Sequence, residues 1–480
     1  MPDYHAPKNT AHYVEVKAYI EEDPEPDYQH AADSARQAFL DMKYGVRIHW
    51  GLYSLKKLQH ESWPFLEMSP QERQEYQNLY KVFNPKGFDA EEWMAFFERA
   101  GFKCFAMTTK HHEGFSLFDT QTHVHQRINW LAEGGPKIEG CDLAYSVMDT
   151  PYKRDIIAEL CSAAHRHGIR IDLYFSHPDW YDADFRPYCF HPLQTEDVKI
   201  APQDYGSPGY HQRLAQNNTW LSPERSFEET ERLVQRHRTQ LVELLSNYGK
   251  IDMLCLDMWL GKDIWPQLRQ TIKIIRQLQP DVMLRLRGIG NYGDYYTPEG
   301  FVPGDKANTD MPWMVIYPLG QSFSYDPVAR RYKGSRWIVH NLVSSVAKGG
   351  AFMVGVGPDA DGHFHPQAIQ DLEGAGEWLK VNGEAIYSSR PNDPWHEGEK
   401  VLFTRSKNKR CLYAICLSWP GRKLHLSTVA PRDDMQTSLL GADQNLTWKA
   451  EGQGITISIP DKLQKAVNRP CKYAYVFKIE

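Results

Sequence analysis

The sequence predicts an α/β protein, a (β/α)8-like TIM barrel followed by a C-terminal antiparallel β-sandwich. Three observations predict it. Apolar strand-like runs alternate with amphipathic stretches through roughly the first 350 residues, as βα repeats require. Most of these runs end in a polar or charged residue (His49, His111, His177, Asp257, Arg287), so one edge of the sheet gathers the unusual side chains. From about Arg390 the texture changes to short β-rich runs split by turn residues, with no helical period. The chain of 480 residues is too long for one ordinary domain. It divides into a catalytic barrel over 1–389 and a β-sandwich over 390–480.

In chain order, the expected barrel strands are Tyr44–Trp50, Lys103–Thr109, Arg170–Ser176, Ile251–Met258, Met283–Arg287 and Ala351–Val356. Between them, Ser226-Phe-Glu-Glu229 is a capping box: the Ser hydroxyl takes an amide of the first turn and the Glu reaches back. Leu233, His237, Leu241, Leu245 and Tyr248 then recur at helical spacing. A later helix runs from about Pro366, a good first-turn residue, to Asn382-Gly383. Residues 181–225, rich in Pro, Asp, Tyr and Asn, read as a long loop insertion near the active face. The sandwich strands are Val401–Arg405, Cys411–Leu417, Lys423–Leu426, Ile455–Ile459 and Tyr473–Ile479.

Composition narrows the function. A net charge of −6 leaves no basic footprint, which argues against nucleic acid. No run approaches the ~18–20 apolar residues of a membrane span. Eight cysteines with no CxxC spacing do not read as a disulfide framework. Aromatics are abundant, 14 Trp and 26 Tyr among them, and their faces suit sugar rings as well as a large core. The polar N-terminus, MPDYHAPKNTAHY, has no signal-peptide core.

The chemistry concentrates in a few places. Lys110-His-His-Glu-Gly-Phe115 places two histidines where an apolar strand opens into a loop. Asp257 closes the run Ile251-Asp-Met-Leu-Cys-Leu-Asp257, and Glu299 follows in Gly293-Asp-Tyr-Tyr-Thr-Pro-Glu299. Either could be bland, a helix cap or a surface Glu, but two carboxylates on one barrel face are the minimum equipment of a glycosidase. His49, His111, His112, His177 and Asp257 could instead ligate a metal in a barrel hydrolase, although no HxH or HExxH spacing is present. Arg287 could clamp a hydroxyl or carboxylate. Lys153-Arg-Asp155 reads most simply as a solvated helix cap.

These segments together resemble the retaining α-L-fucosidases, glycoside hydrolase family 29. Tyr44-Gly-Val-Arg-Ile-His-Trp-Gly-Leu-Tyr-Ser54 resembles FGIFIHWGxYS, and Lys110–Phe115 resembles KHHDGF. Tyr152-Lys-Arg-Asp155 resembles PKRD, and Asp172–Ser176 with Asp179-Trp180 resembles GLYYS followed by an acid and Trp. Tyr248–Asp252 leading to Asp257 resembles YGxID leading to WFDG. Gly293–Glu299 resembles GDxxTPE, Val356–Gly362 resembles NxGPxxDG, and Asn382–Tyr387 matches NGEAIY. The resemblance implies a barrel plus sandwich, with Asp257 as nucleophile and Glu299 as acid/base, its pKa expected to be raised. It implies sugar contacts from His49, Trp63, His111, His112, Tyr174, Arg287 and Trp313. It implies a fucosylated or related glycan as partner, no metal or other cofactor, and a periplasmic or secreted setting.

Four positions depart from the pattern. Cys255 stands where WFDG has Trp, Arg47 enters a core strand, the family's WE becomes Trp313-Met314, and Gly355 replaces the Asn of NxGP. A small residue at 255 leads us to expect a wider pocket that admits an L-galactose-like sugar. Alternative readings are a glycosidase of shifted specificity, a metal-dependent barrel hydrolase and a non-catalytic sugar-binding relative.

Overall fold

The computed structural model describes residues 3–8, 12, 20, 22–195, 220–304 and 307–480. The polar N-terminal segment and residues 196–219 of the expected loop lie largely outside the described residues. Seven parallel strands form one sheet, in the order 314–318, 351–356, 44–48, 104–110, 170–176, 253–257, 283–284. The segment from Tyr295 to Glu299 joins the two edges by single parallel bridges: Tyr295 pairs with Arg285, Tyr296 with Trp313 and Glu299 with Ile316. Eight staves therefore close, as a TIM barrel requires. The sequence reading missed the strand Met314–Pro318 and this irregular eighth stave. Pro298 has no amide to give a regular ladder, and the eighth stave is short.

Helices pack around the barrel. Phe227–Ser246 starts with the expected capping box, Ser226 accepting from Glu229 N and Glu229 accepting from Ser226 N. Pro366–Asn382 begins at the proline and is capped by His365. Asp155 caps Ile156–His167, the bland role expected of Lys153-Arg-Asp155. The barrel interior has an apolar floor of Cys104, Ala106, Met253, Met283, Met314 and Met353.

The first segment of the expected loop is no surface insertion, whereas Trp220, Leu221, Pro223 and Glu224 at its far end are exposed. Residues 181–191 are buried, because a ladder of ion pairs ties this segment to the Phe227–Ser246 helix. Arg236 meets Asp179 and Asp182, Arg232 meets Asp184 at 2.8 Å, and Arg186 meets Glu229 at 3.0 Å. The C-terminal region is an eight-strand antiparallel array in the order 390–397, 401–405, 412–416, 475–479, 437–439, 445–451, 454–458, 423–426. Its core joins Phe403 and Phe477 to Leu424, Leu426, Ile455 and Ile457. Trp378 of the last barrel helix donates to the Ala474 carbonyl at 2.8 Å, tying sandwich to barrel.

Candidate active site

Alternate residues of a strand face the same way, and four of the barrel staves contribute an inward pair at their C-terminal end. The pairs are Arg47 and His49, Tyr174 and Ser176, Cys255 and Asp257, Arg285 and Arg287. The Cys104–Lys110 strand opens into His111 and His112. The structure thus brings together His49, His111, His112, Tyr174, Asp257, Arg287 and Glu299 at one mouth of the barrel.

One side of this mouth is neutral. Tyr174 donates to Asp257 Oδ2 at 2.6 Å, its hydroxyl lies 3.1 Å from Ser176 Oγ, and Ser176 Oγ lies 2.9 Å from His112 Nδ1. Ser62 Oγ lies 2.5 Å from His111 Nδ1. Burial, then the neighbouring His111, holds His49 and His112 well below the usual histidine range, so both rings are uncharged near neutrality. Trp63 packs edge-on against His112 at 4.9 Å and against Trp180 at 5.5 Å, which keeps it beside the site. Phe323 stacks on His49 at 5.3 Å. A Cβ on Gly355 would lie 2.1 Å from that Phe323 ring, so the glycine departure is what admits it.

The other side is charged. Arg287 meets Asp257 Oδ1 and Glu299 Oε1, both at 2.8 Å. Arg285 meets the same two oxygens, at 3.3 Å and 2.6 Å. Burial opposes ionisation of Asp257, but Arg287 and Arg285 outweigh it and hold the carboxyl well below the usual range. The same contest depresses Glu299, the reverse of the raised pKa expected from its role. Arg287 is the larger lowering influence, and Arg285, which was not expected at the site, adds to it. The signal for Arg285 was available, since the expected strand Met283–Arg287 puts Arg285 and Arg287 on one face, although regular pairing ends at Leu284 and Arg287 lies in the following turn. The side chain of Glu299 is 36% exposed and faces the opening. After Asp257 the chain turns through Met258 at φ 64°, and Gly288, at φ 76°, would clash through a Cβ with the Met258 carbonyl at 2.7 Å.

Two expectations fail. Trp313 sits at the opposite end of the barrel, immediately before the Met314–Pro318 strand, against Gly350 and edge-on to His12 at 6.4 Å. It cannot reach the sugar from there. Cys255 leaves no open wall, because Arg47 and Arg285 fill the space, reaching its sulfur at 2.8 Å and 3.2 Å. The argument for a wider, L-galactose-admitting pocket falls with it. His177 turns away from the mouth, paired with His237 at 3.0 Å and with the Arg287 carbonyl. Among the described residues, no three His, Cys, Asp or Glu side chains converge as a metal site.

Comparison with known proteins agrees with this geometry. Residues 14–384 match the family model for alpha-L-fucosidase, and residues 395–480 match that for the alpha-L-fucosidase C-terminal domain. Human tissue alpha-L-fucosidase is 26% identical over 470 residues, 92% of this chain and 88% of the relative. The structure of alpha-L-fucosidase isoenzyme 1 from Paenibacillus thiaminolyticus superposes with a TM-score of 0.72 at 25% identity, covering 93% and 98% of the two chains. The Thermotoga maritima alpha-fucosidase in complex with fucose superposes at 0.70 and 22% identity, covering 94% and 100%, a likeness of fold.

Proposed function

Since the chain belongs to the α-L-fucosidase family of glycoside hydrolases, we propose that it releases terminal L-fucose from glycans by a retaining double displacement. The observation that carries the reading is the pair Asp257 and Glu299, bridged by two shared guanidiniums at the barrel mouth. A single guanidinium can span two carboxylates only when they are close, which is compatible with the ~5–5.5 Å spacing of a retaining pair.

Asp257 attacks the anomeric carbon and the bond to the leaving oxygen breaks, giving a glycosyl ester. Glu299 gives its proton to that oxygen, then takes one from the water that cleaves the ester. Asp257 is suited to attack because its two arginines keep it ionised. Glu299 is suited to proton exchange because it faces the opening. Neutral His49 and His112 can each donate and accept toward sugar hydroxyls, a match that a charged ring would lose, and His111 packs beside His112 at 4.1 Å. Trp63 offers an apolar face beside them. The net charge of −6 also favours a neutral glycan over nucleic acid.

A panel of 4-nitrophenyl glycosides tests the substrate, with the α-L-fucoside expected to be cleaved fastest. Proton NMR of the first product tests the mechanism. The α-anomer of L-fucose should appear before mutarotation; initial release of the β-anomer would remove the nucleophile from the argument.

A further inference from the structure

The barrel interior carries charge one layer below the catalytic mouth, where bulky branched side chains ordinarily fill a TIM barrel. Arg47, Asp172, Cys255 and Arg285 are all buried there. Arg47 lies under the Tyr174 ring at 5.4 Å and touches Cys255 Sγ at 2.8 Å. Arg285 touches the same sulfur at 3.2 Å and reaches up to Asp257 and Glu299. Placing two guanidiniums in an interior costs several kcal/mol of desolvation per ion unless they are well paired. A protein that keeps them there holds them against something.

The two arginines of the Glu299 contact differ in one respect that decides their roles. Arg287 is 18% exposed, on the pocket side, so a bound sugar can reach it. Arg285 is 0% exposed and lies behind the carboxylates, so no substrate can. When a hydroxyl of the substrate recruits Arg287, Arg285 is left holding both carboxylates.

We propose that Arg285, propped from below by Arg47 across Cys255, is a positioning residue of the glycosidase reaction that fixes Glu299 relative to Asp257. A guanidinium presents several donors in one rigid plane, so it can hold two carboxylates at a set spacing; an ammonium is a single point charge. The groups facing Glu299 are Arg285 and Arg287 from the preceding strand, Asp257 from the nucleophile strand and Arg47 from the first strand. The groups facing Asp257 are the same two arginines, His112 and Tyr174. Arg285 is thus the buried positive charge common to both carboxylates. Cys255, small and uncharged, is the spacer that lets Arg47 and Arg285 approach one another.

The inference rests on the assignment of Asp257 and Glu299 as the catalytic pair. Its test is the pH profile of kcat/KM for the α-L-fucoside in wild type, Arg285→Met and Arg285→Lys. The acid must be protonated to act, so the alkaline limb follows Glu299. Arg285→Met removes a positive charge beside Glu299, which makes its proton harder to lose, so the limb should move to higher pH. In the same variant kcat should fall roughly 10- to 100-fold with KM nearly unchanged, as expected when a near-attack geometry loosens. Arg285→Lys keeps the charge and loses the fork. Its limb should stay near that of wild type while kcat falls about tenfold. If Arg285→Met does not fold, Arg285→Lys alone still decides: wild-type kcat in a folded Lys variant overturns the inference. A folded Arg285→Met whose limb does not move overturns it equally, as would a KM rise matching the whole loss. Failure of the underlying reading would look different, since Asp257→Ala would then stay active.

Discussion

The histidine side and the arginine side of the pocket are carried by strands of one barrel, yet they are opposite in kind. The first is a buried chain of uncharged groups, Tyr174, Ser176 and His112, that leads away from the ionised Asp257. The second concentrates two carboxylates and two guanidiniums at contact distance. Hydroxyl recognition needs groups that donate and accept without a preferred sign, which neutral imidazole and hydroxyl provide. Bond cleavage needs fixed charge where charge will develop, in a site that excludes water. On the proposed reading, one wall serves recognition and the other chemistry, and each wall can be broken separately.

The largest effect should come from the shared member of both walls. Asp257→Ala should lower kcat on the order of 10⁵-fold, the scale seen when a nucleophile is removed. Added azide should restore part of the activity by taking the place of the carboxylate, and should yield a glycosyl azide of inverted configuration. Near-normal turnover by the folded variant would show that the charged wall is structural.

Glu299→Ala should cost less, roughly 10²- to 10⁴-fold on substrates with poor leaving groups and far less on activated aryl glycosides. Equal losses on both would deny it the acid's role. The depressed pKa values set a direction for wild type. Asp257 ionises first, its pKa held well below the normal range, and Glu299 second, its own pKa lowered. The reactive form, with Asp257 ionised and Glu299 protonated, therefore dominates between the two. The pH profile of kcat/KM should peak on the acid side of neutrality, and a maximum above pH 8 would contradict the arginine contacts.

The neutral wall should yield a smaller and different loss. His112→Phe keeps a ring beside Trp63 and removes both nitrogens, so kcat/KM should fall about 10- to 100-fold, the worth of one or two hydrogen bonds to a buried polar ligand. The alkaline limb should stay in place, because His112 bears no charge to lose. A shifted limb would place His112 on the charged side.

The neutral wall was legible in the chain and much of the charged wall was not. His49, His111, His112 and Asp257 fall at or just beyond the ends of regular strands, where an apolar run that stops in a polar residue marks both the element and its functional tip, whereas Tyr174, inside its strand, was reached through the family resemblance alone. Glu299 lies on a stave without a regular ladder, so its place in the barrel was invisible, and it was found through its motif alone. Arg47 was noticed as an oddity in a core strand, but what it touches depends on Cys255 and Arg285, which are far away in sequence. Trp313 failed for the matching reason: a strand that was not recognised cannot be given a direction, and the residue proved to lie before its start, at the far end of the barrel. Long-range charge pairing, unlike hydrophobic period, leaves no local trace.

The smallest expected effect is none, and it bears on whether the histidines are a recognition wall at all. A metal hydrolase would gather three or more ligands around one point. Among the described residues these candidates do not converge on one point. His111 Nδ1 meets Ser62, His112 Nδ1 meets Ser176, and His177 meets His237 and a backbone carbonyl. Asp257 is saturated by Tyr174 and two arginines, whose positive charge would also repel a cation. Exhaustive dialysis against EDTA should therefore leave kcat and KM for the α-L-fucoside unchanged within error, and added zinc should not raise them. Loss of activity on chelation with recovery on zinc would show that these side chains rearrange around an ion, and the division of the pocket into a neutral and a charged wall would have to be given up.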